Sequence, residues 1–319
     1  MIKTTICDLF NIEYPVFQGG MAWLGTAELA SAVSEGGGLG FIGAGNAPAE
    51  WVRQQIQNTR ARTSRPFGVN VMLLSPYAKE VIQVVLEERV PVVATGAGNP
   101  GSWVPLFKER GIKVIPVVAS VALARRLEKA GVDALVVEGI ESGGHVGEIT
   151  TLALVPQVVD SVGLPIVAAG GIGDGRGMAA ALALGAQGVQ LGTRFICCAE
   201  CVAHPHFKEK ILNARDRATV VTGHTTGHPV RALENKMTRQ FAAMEKAGAL
   251  VSELEAFGTG KLRLGVIEGD LENGSLMAGQ VAGLIKDIKP ARDIIREIVA
   301  EAEAVIRHLH VLGLSGVRA

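Results

Sequence analysis

Residues 164–195, LPIVAAGGIGDGRGMAAALALGAQGVQLGTRF, decide the fold. A short apolar run ends in two glycines, an alanine-rich stretch follows, and a second apolar run ends in glycine and threonine. Short apolar runs bounded by glycine are typical of buried strands, and the longer stretch between them is typical of a helix. The sequence therefore predicts a strand–helix–strand unit with two parallel strands.

The same alternation begins near the N-terminus and continues to about residue 196. Several helical stretches end at a glycine, as at Gly111, Gly131 and Gly185, where a left-handed cap is expected. Continuous apolar strands indicate burial on both faces, and eight units favour a closed (β/α)8 barrel over an open sheet. The first turn, QGGMAWLGTAE, also lacks the GxGxxG pattern of open dinucleotide-binding sheets. The eight runs are YPVFQGG, LGFIGAG, PFGVNVML, PVVATGAG, KVIPVVAS, DALVVEG, LPIVAAGG and GVQLGTRF.

Composition limits the classes of partner. The chain has 319 residues, 48% of them hydrophobic, which is enough for a large core. The chain has 31 Lys+Arg and 31 Asp+Glu, so its formal net charge is zero. The overall charge therefore does not favour binding to nucleic acid or to an anionic membrane. The first residues, MIKTTICDLFNIEYPV, lack the pattern of a secretion signal, and apolar runs stop short of the roughly 18 residues of a membrane span. We therefore expect a cytoplasmic protein that binds neither nucleic acid nor membrane.

The cysteines raise the question of a metal site. The chain has four: Cys7, Cys197, Cys198 and Cys201. They are too few for a disulfide framework in a chain of this length, which agrees with a reducing compartment. The stretch CCAECVAHPH also offers His204 and His206 as ligands, but adjacent cysteines do not match the CxxC pairs that wrap a tetrahedral ion. Packing as small apolar side chains is the favoured interpretation, and no metal ligand is assigned.

The residues that follow each strand are the candidates for function, because barrel enzymes place their chemistry at the carboxyl ends of the strands. These ends are rich in glycine, which lets a ligand approach the backbone and exposes N–H donors. Any single glycine could merely form a tight turn, but together they indicate a rim suited to a flat, hydrogen-bonding cofactor. Gly170, Gly171, Gly192 and Thr193 lie where barrels commonly bind phosphate, and we assign them to it. Asp174 is predicted to cap the next helix instead.

Absent groups at the rim narrow the chemistry further. No lysine closes a strand, which argues against a Schiff-base aldolase. The strand ends carry one set of ionisable residues, Glu138, Glu141 and His145. This set does not have the carboxylates and histidines that a catalytic metal site needs. A bound organic cofactor must therefore carry the difficult chemistry.

Motifs along the chain carry a family resemblance. In order, they are QGGMA, FGVNVML, EGIESGGHVG, AAGGIGDG, QLGTRF, AHPHFKEKIL and NGSLMAGQ. With them, nearly the whole chain resembles the nitronate monooxygenase-like family of FMN barrels. The stretches AHPHFKEKIL, VRALENKMTRQF and GSLMAGQVAGLI resemble its branch of FMN-dependent enoyl-acyl-carrier-protein reductases in particular.

The resemblance implies a cofactor site for FMN, with NADH or NADPH as co-substrate. Met21 should lie along the isoalloxazine ring near N5, Asn70 near its polar edge, and Glu138 should accept hydrogen bonds from the ribityl hydroxyls. No lysine is evident near flavin N1, so backbone dipoles or a monovalent cation, which some relatives use, should stabilise the reduced flavin. Gln190 and Met277 could instead face the core. The implied cofactor-binding residues are Gly20, Met21, Ala22, Asn70, Glu138, Ser142, Gly143, Gly144, Ala169, Gly170, Gly171, Gln190, Gly192, Thr193, Met277 and Gln280.

The resemblance also implies a reaction. Hydride would pass from NAD(P)H to FMN and then to the β-carbon of a 2-enoyl-acyl-carrier-protein thioester, in fatty acid elongation. His145 is the catalytic candidate, because an imidazole can donate to the thioester oxygen or the α-carbon near neutral pH; alternatively, its ring only packs on FMN. Two other functions stay open. One is oxidation of alkyl nitronates with FMN and O2, and the other is a flavin-free phosphate-binding barrel that acts as a lyase, isomerase or regulatory protein.

The pattern changes after the eighth strand. We predict a smaller, mainly helical inserted domain at 199–276, between that strand and the final helix, with the barrel formed by 1–198 and 277–319. Between His204 and Lys246 there are eight lysines and arginines against four acids. This segment is our candidate docking face for an acidic acyl carrier protein, with Arg231 and Lys236 as the residues to test; the alternative is an ordinary solvated helical surface. We also expect a homodimer.

Overall fold

The computed structural model describes residues 2–315, in which each apolar run contains one parallel strand. Numbered along the chain, the strands are β1 (Val16–Gln18), β2 (Gly40–Gly43), β3 (Phe67–Met72), β4 (Val92–Gly96), β5 (Lys113–Val118), β6 (Leu135–Glu138), β7 (Gly144–His145), β8 (Ile166–Ala169), β9 (Gly188–Leu191), β10 (Thr219–Thr222) and β11 (Val230–Leu233). Eight of them form one parallel sheet in the order β1-β9-β8-β6-β5-β4-β3-β2.

Helices cover the outside of the sheet, and further helices precede the first strand or lie in the segment 199–276. They are α1 (Thr5–Phe10), α2 (Ala27–Glu35), α3 (Ala49–Arg62), α4 (Ala78–Glu87), α5 (Val104–Glu109), α6 (Val121–Ala130), α7 (Thr151–Val159), α8 (Gly175–Ala183), α9 (Thr193–Ile196), α10 (Pro205–Leu212), α11 (Lys236–Lys246), α12 (Val251–Gly258), α13 (Lys261–Val266) and α14 (Ala291–Ser315). No helix in residues 2–315 is long and apolar enough to cross a membrane.

The sheet closes on itself at β1 and β2. On one side β1 pairs with β9, with Val16 opposite Val189. On the other side Leu39 bridges to Phe17, and the buried Gln18 accepts a hydrogen bond from the Phe41 amide at 2.9 Å through its side-chain oxygen. The predicted (β/α)8 barrel is therefore confirmed.

Two layers of apolar side chains form the core. Alternate strand residues such as Phe41, Ile115 and Val136 fill the inside of the barrel, and the residues between them pack outward against the helices. Helix α1 closes the amino-terminal end, where the Phe10 ring meets Phe17 edge to face at 5.5 Å. The amino-terminal end is thus sealed by packing, and the carboxyl end is the one that can receive a ligand.

The helix caps agree with the sequence. Gly111, Gly131 and Gly185 follow α5, α6 and α8 with φ of 71°, 85° and 93°, so the predicted left-handed positions are confirmed. Asp174 precedes α8, and its side chain accepts a hydrogen bond from the Gly177 amide at 3.0 Å. The predicted cap is therefore also confirmed.

The Asp174 cap leads to a first prediction. Asp174→Ala should lower the free energy of unfolding by about 1 kcal/mol, because the first turn of α8 loses an amide partner. Denaturant titration of the purified protein measures this change. Arg176→Ala removes only the exposed ion pair to Asp174, and we expect a clearly smaller effect. Equal losses in both variants would mean that the ion pair, rather than the cap, stabilises the turn.

The segment 199–276 is mainly helical, with α10 to α13, as predicted, but it also contains a hairpin that we did not predict from the sequence. Strands β10 and β11 form this hairpin, and β11 also pairs with β7, which belongs to the loop after β6. The result is a three-stranded antiparallel sheet that joins the inserted segment to the carboxyl end of the barrel. The division into two domains stays a prediction, and its outermost residues, 1 and 316–319, lie outside the described residues.

Candidate active site

Three neighbouring strands bring a row of predicted site residues together. Glu138 at the end of β6 is opposite Ala169 of β8, which is opposite Gln190 of β9. Gln190 is in turn opposite Phe17, which lies inside the barrel. Since register partners in parallel strands point to the same face, Glu138 and Gln190 face the barrel interior at its carboxyl end.

The first loop lies against this row from the other side. Asn70 Nδ2 donates to the Gly20 carbonyl at 3.3 Å, and a Cβ at Gly20 would lie 2.2 Å from the Asn70 side chain, so only glycine fits there. The Met21 sulfur lies 3.9 Å from the position that a Cβ of Gly192 would occupy. The structure thus brings the QGGMA loop next to both Asn70 and the predicted phosphate residues.

The segment 277–280 lies over the glycine turn that precedes His145. The Gly279 amide donates to Thr193 Oγ1 at 2.8 Å, and the Met277 sulfur is 3.6 Å from the position of a Cβ at Gly144. Gly143 packs directly on Gly279 and its neighbour. The predicted residues from distant parts of the sequence therefore meet at one mouth, although the side chain of Gln280 is exposed at its edge.

A network that we did not predict from the sequence fixes the loop between β6 and α7. Both carboxylate oxygens of Glu141 accept from the Thr151 amide, at 3.0 and 2.9 Å. The Thr151 hydroxyl lies 2.9 Å from Glu141 and 2.9 Å from the Gly170 carbonyl, and it can donate to either. Because these pairs lie ten or more residues apart without a repeating pattern, no sequence signal could have identified them.

Arg231 extends this network into the inserted hairpin. Its Nε donates to the Ile140 carbonyl at 3.0 Å and its Nη1 to Thr219 Oγ1 at 3.1 Å. The side chain is 6% exposed. The expectation that Arg231 belongs to a docking face is therefore wrong: it is a buried link that holds the His145 loop to the hairpin. Lys208 is also buried, and it donates to the Cys198 carbonyl at 2.7 Å.

The two ionisable predicted site residues, Glu138 and His145, are both shifted toward their neutral forms. Burial raises the pKa of Glu138 to about 7; the nearby Ser142 hydroxyl opposes this weakly, without forming a hydrogen bond of normal geometry. The His145 ring is exposed to solvent at the mouth, yet the surrounding protein atoms lower its pKa, and His228 lowers it further. At neutral pH the His145 ring is therefore a neutral imidazole, which can still donate through one nitrogen.

The shifted carboxyl gives a second prediction. The pKa of Glu138 rises from 4.5 to about 7 on folding, so its protonated form favours the folded state and this contribution is lost as pH rises through that range. The cofactor-free protein should lose about 3 kcal/mol of unfolding free energy between pH 4.5 and 8 on this account, and Glu138→Gln should remove that slope. Denaturant titrations across this range are the measurement. Glu148→Gln, at an exposed position in the same loop, should keep the wild-type slope, and a Glu138→Gln slope equal to wild type would contradict the assignment.

The cysteine cluster packs in the core rather than at this mouth. Burial raises the pKa of Cys197 to about 12 and that of Cys201 to about 11, so these thiols stay protonated and are poor metal ligands. His204 Nδ1 accepts from the His206 amide at 3.2 Å and caps α10. The three clustered cysteines are buried among core side chains, in agreement with the packing interpretation. Within residues 2–315, no three His, Cys, Asp or Glu side chains are grouped to hold a metal ion.

Comparison with known proteins identifies the family. Residues 3–82 and 75–301 match the model of the nitronate monooxygenase family. The chain belongs to this family. This match confirms the resemblance that the sequence motifs indicated. The chain is an oxidoreductase, and its family depends on FMN.

Individual relatives differ in how closely they match. The solved structure of FabK from Thermotoga maritima is 51% identical, with a TM-score of 0.96, and the match covers 98% of this chain and 100% of that one. The (3aS,4S,5R,7aS)-5-hydroxy-7a-methyl-1-oxo-octahydro-1H-indene-4-carboxyl-CoA dehydrogenase of Mycobacterium tuberculosis is 32% identical over 97% of both chains. A probable nitronate monooxygenase of Staphylococcus saprophyticus is 36% identical over 74% of this chain and 79% of its own.

Proposed function

We propose that the protein is an FMN-dependent enoyl-acyl-carrier-protein reductase, which reduces 2-enoyl thioesters with NADH or NADPH in fatty acid elongation. The observation that carries this proposal is the 51% identity to FabK along the full chain, against 36% for the nitronate monooxygenase relative. FabK is the reductase of the branch that the sequence motifs resemble. The name of the M. tuberculosis relative specifies a carboxyl-CoA, which is also a thioester.

The residues at the mouth fit FMN. Asn70 Oδ1 and Ser142 Oγ are buried and have no hydrogen-bond partner within the described residues. A buried polar atom without a partner costs about 1–3 kcal/mol, so a bound group with complementary donors and acceptors would stabilise both. Gly170 and Gly171 have φ of 86° and 71°, a left-handed backbone of the kind found in turns whose amides bind anions.

We assign roles to the chain's own residues on this basis. Gly170, Gly171 and Thr193 would hold the phosphate, Glu138 the ribityl hydroxyls, and Met21 and Met277 would lie beside the ring. Bound there, FMN supplies the hydride transfer between nicotinamide and enoyl substrate. The neutral His145 imidazole then donates a hydrogen bond to the thioester oxygen, where negative charge develops as the β-carbon is reduced.

Two assays on the FMN-loaded protein separate the proposal from its alternative. Anaerobic oxidation of NADH or NADPH that depends on a crotonyl thioester supports enoyl reduction. Nitronate oxidation is the second candidate, because the family model and the staphylococcal relative both favour it. Oxygen uptake with an alkyl nitronate, without crotonyl-dependent nucleotide oxidation, would overturn the proposal. A protein that takes up no FMN would overturn both.

The carrier-protein partner gives a third prediction. Lys236 and Arg239 are exposed on α11, unlike the buried Arg231, so they are the better test of the docking face. The double variant Lys236→Glu and Arg239→Glu should raise KM for a crotonyl carrier protein by about tenfold at low salt, because rim charges act mainly on encounter. KM for crotonyl-CoA is the internal control and should stay unchanged. If KM changes equally for both substrates, or changes for neither, α11 is not the docking face.

A further inference from the structure

A second histidine faces His145 across the antiparallel pair β7–β11. Val230 of β11 is opposite His145, and the Val146 amide donates to the Pro229 carbonyl at 3.0 Å, which places His228 beside the catalytic candidate. The two rings meet edge to face, with centroids 6.4 Å apart and planes at 81°. Both rings are exposed at the mouth of the barrel.

A buried arginine fixes the pairing of β7 with β11 beneath the two histidines. Arg231 is opposite Gly144 in the same pairing and donates to the Ile140 carbonyl, so neither strand can slide without breaking a buried charged hydrogen bond. The fold therefore fixes the backbone positions from which the two imidazoles extend toward each other.

We propose that His228 is a positioning residue for His145 and acts as the second imidazole of the site. The inference rests on the proposed function, because it concerns how His145 serves enoyl reduction. Two imidazoles at this distance resist carrying charge together. His228 therefore helps to keep His145 neutral, so that His145 donates a hydrogen bond to the thioester oxygen and does not lose a proton to the substrate.

Among the described residues, the other ionisable side chains near His145 are hydrogen-bonded elsewhere or exposed to solvent. In its own loop, the Glu141 carboxylate is held by Thr151 and Glu148 is exposed. On β11, the Arg231 guanidinium donates to Ile140 and Thr219. The segment 277–280 contains no ionisable side chain. His228, by contrast, lies ring to ring with His145 and lowers its pKa, in addition to the effect of burial.

The test uses the FMN-loaded enzyme with His228→Gln and His228→Asp, and with His224→Gln as the matched control. His224 lies in the same hairpin loop and is exposed, but its charged neighbour is Glu245. Two readouts apply: NMR titration of the His145 ring, and the acid limb of kcat/KM for a crotonyl thioester. We expect both to move to higher pH, by a few tenths of a pH unit for His228→Gln and about one for His228→Asp, and not to move for His224→Gln.

The outcomes separate this inference from the proposed function. If neither His228 variant moves the His145 titration, the positioning role is wrong, whatever reaction the enzyme catalyses. If the enzyme does not reduce enoyl thioesters but the titration moves as expected, the coupling stands and the proposed function fails. A merely structural role for His228 would change the melting temperature and leave the His145 titration where it is in the wild type.

Discussion

Replacing His145 by alanine should lower kcat for a crotonyl thioester by about 100- to 1000-fold while FMN stays bound. The ring sits on β7, at the mouth where the glycine turn, the segment 277–280 and the strand ends meet. A donor held in place before the reaction stabilises the developing oxyanion without reorganisation, and alanine removes that donor. Steady-state assays at saturating substrate, with FMN content measured by absorbance, are the test.

Two further variants distinguish hydrogen-bond donation by His145 from proton transfer and from simple packing. His145→Asn retains an N–H donor and should recover part of the lost turnover, whereas a proton-transfer role would give no recovery. His224→Ala, in the exposed hairpin loop, should behave as wild type. An FMN-replete His145→Ala enzyme with full turnover would show that the ring only packs against the cofactor.

Gly143→Ala should weaken FMN binding by about 10- to 100-fold. A Cβ at this position would lie 2.6 Å from the backbone carbon of Ala278 and 2.7 Å from the Gly279 amide nitrogen. That segment cannot move aside easily, because the Gly279 amide is bound to Thr193. Forcing a methyl group into such a place costs about 1–3 kcal/mol, and each 1.4 kcal/mol is tenfold in affinity.

Fluorescence titration of the cofactor-free variants with FMN measures the effect. Gly163→Ala is the matched control, since the nearest neighbour of a Cβ there is a Glu128 oxygen at 3.6 Å, in ordinary contact. The control should bind FMN as wild type does. Unchanged affinity in Gly143→Ala would mean that the segment 277–280 does not contribute to the cofactor site.

The fold was predictable because its signals are local. Most barrel strands are short apolar runs that end at or beside a glycine, and Asp174 and Gly131 mark helix ends by their own backbone and side-chain chemistry. The phosphate glycines were accessible for the same reason, since they directly follow strands. Their role in binding stays a prediction.

The parts that escaped prediction depend on distant pairing. Strand β7 is only two residues long, and its sequence reads as a turn until β11, some 85 residues later, pairs with it. The same pairing buries Arg231, which the charge count had placed on a docking surface, and it brings the exposed His228 ring next to that of His145. A charge pattern cannot distinguish an arginine that is exposed to water from one that is buried and joins two segments. The guanidinium finds hydrogen-bond partners in either setting.

The closure between β1 and β9 has a consequence for how the chain folds during synthesis. Val16 leaves the ribosome early, but its partner Val189 follows only after most of the barrel has been translated. Until then β1 has one flanking strand and an open edge, the kind of surface that recruits other chains. The nascent barrel is therefore most exposed to aggregation just before β9 emerges, and the growing chain would depend most on chaperones in that interval.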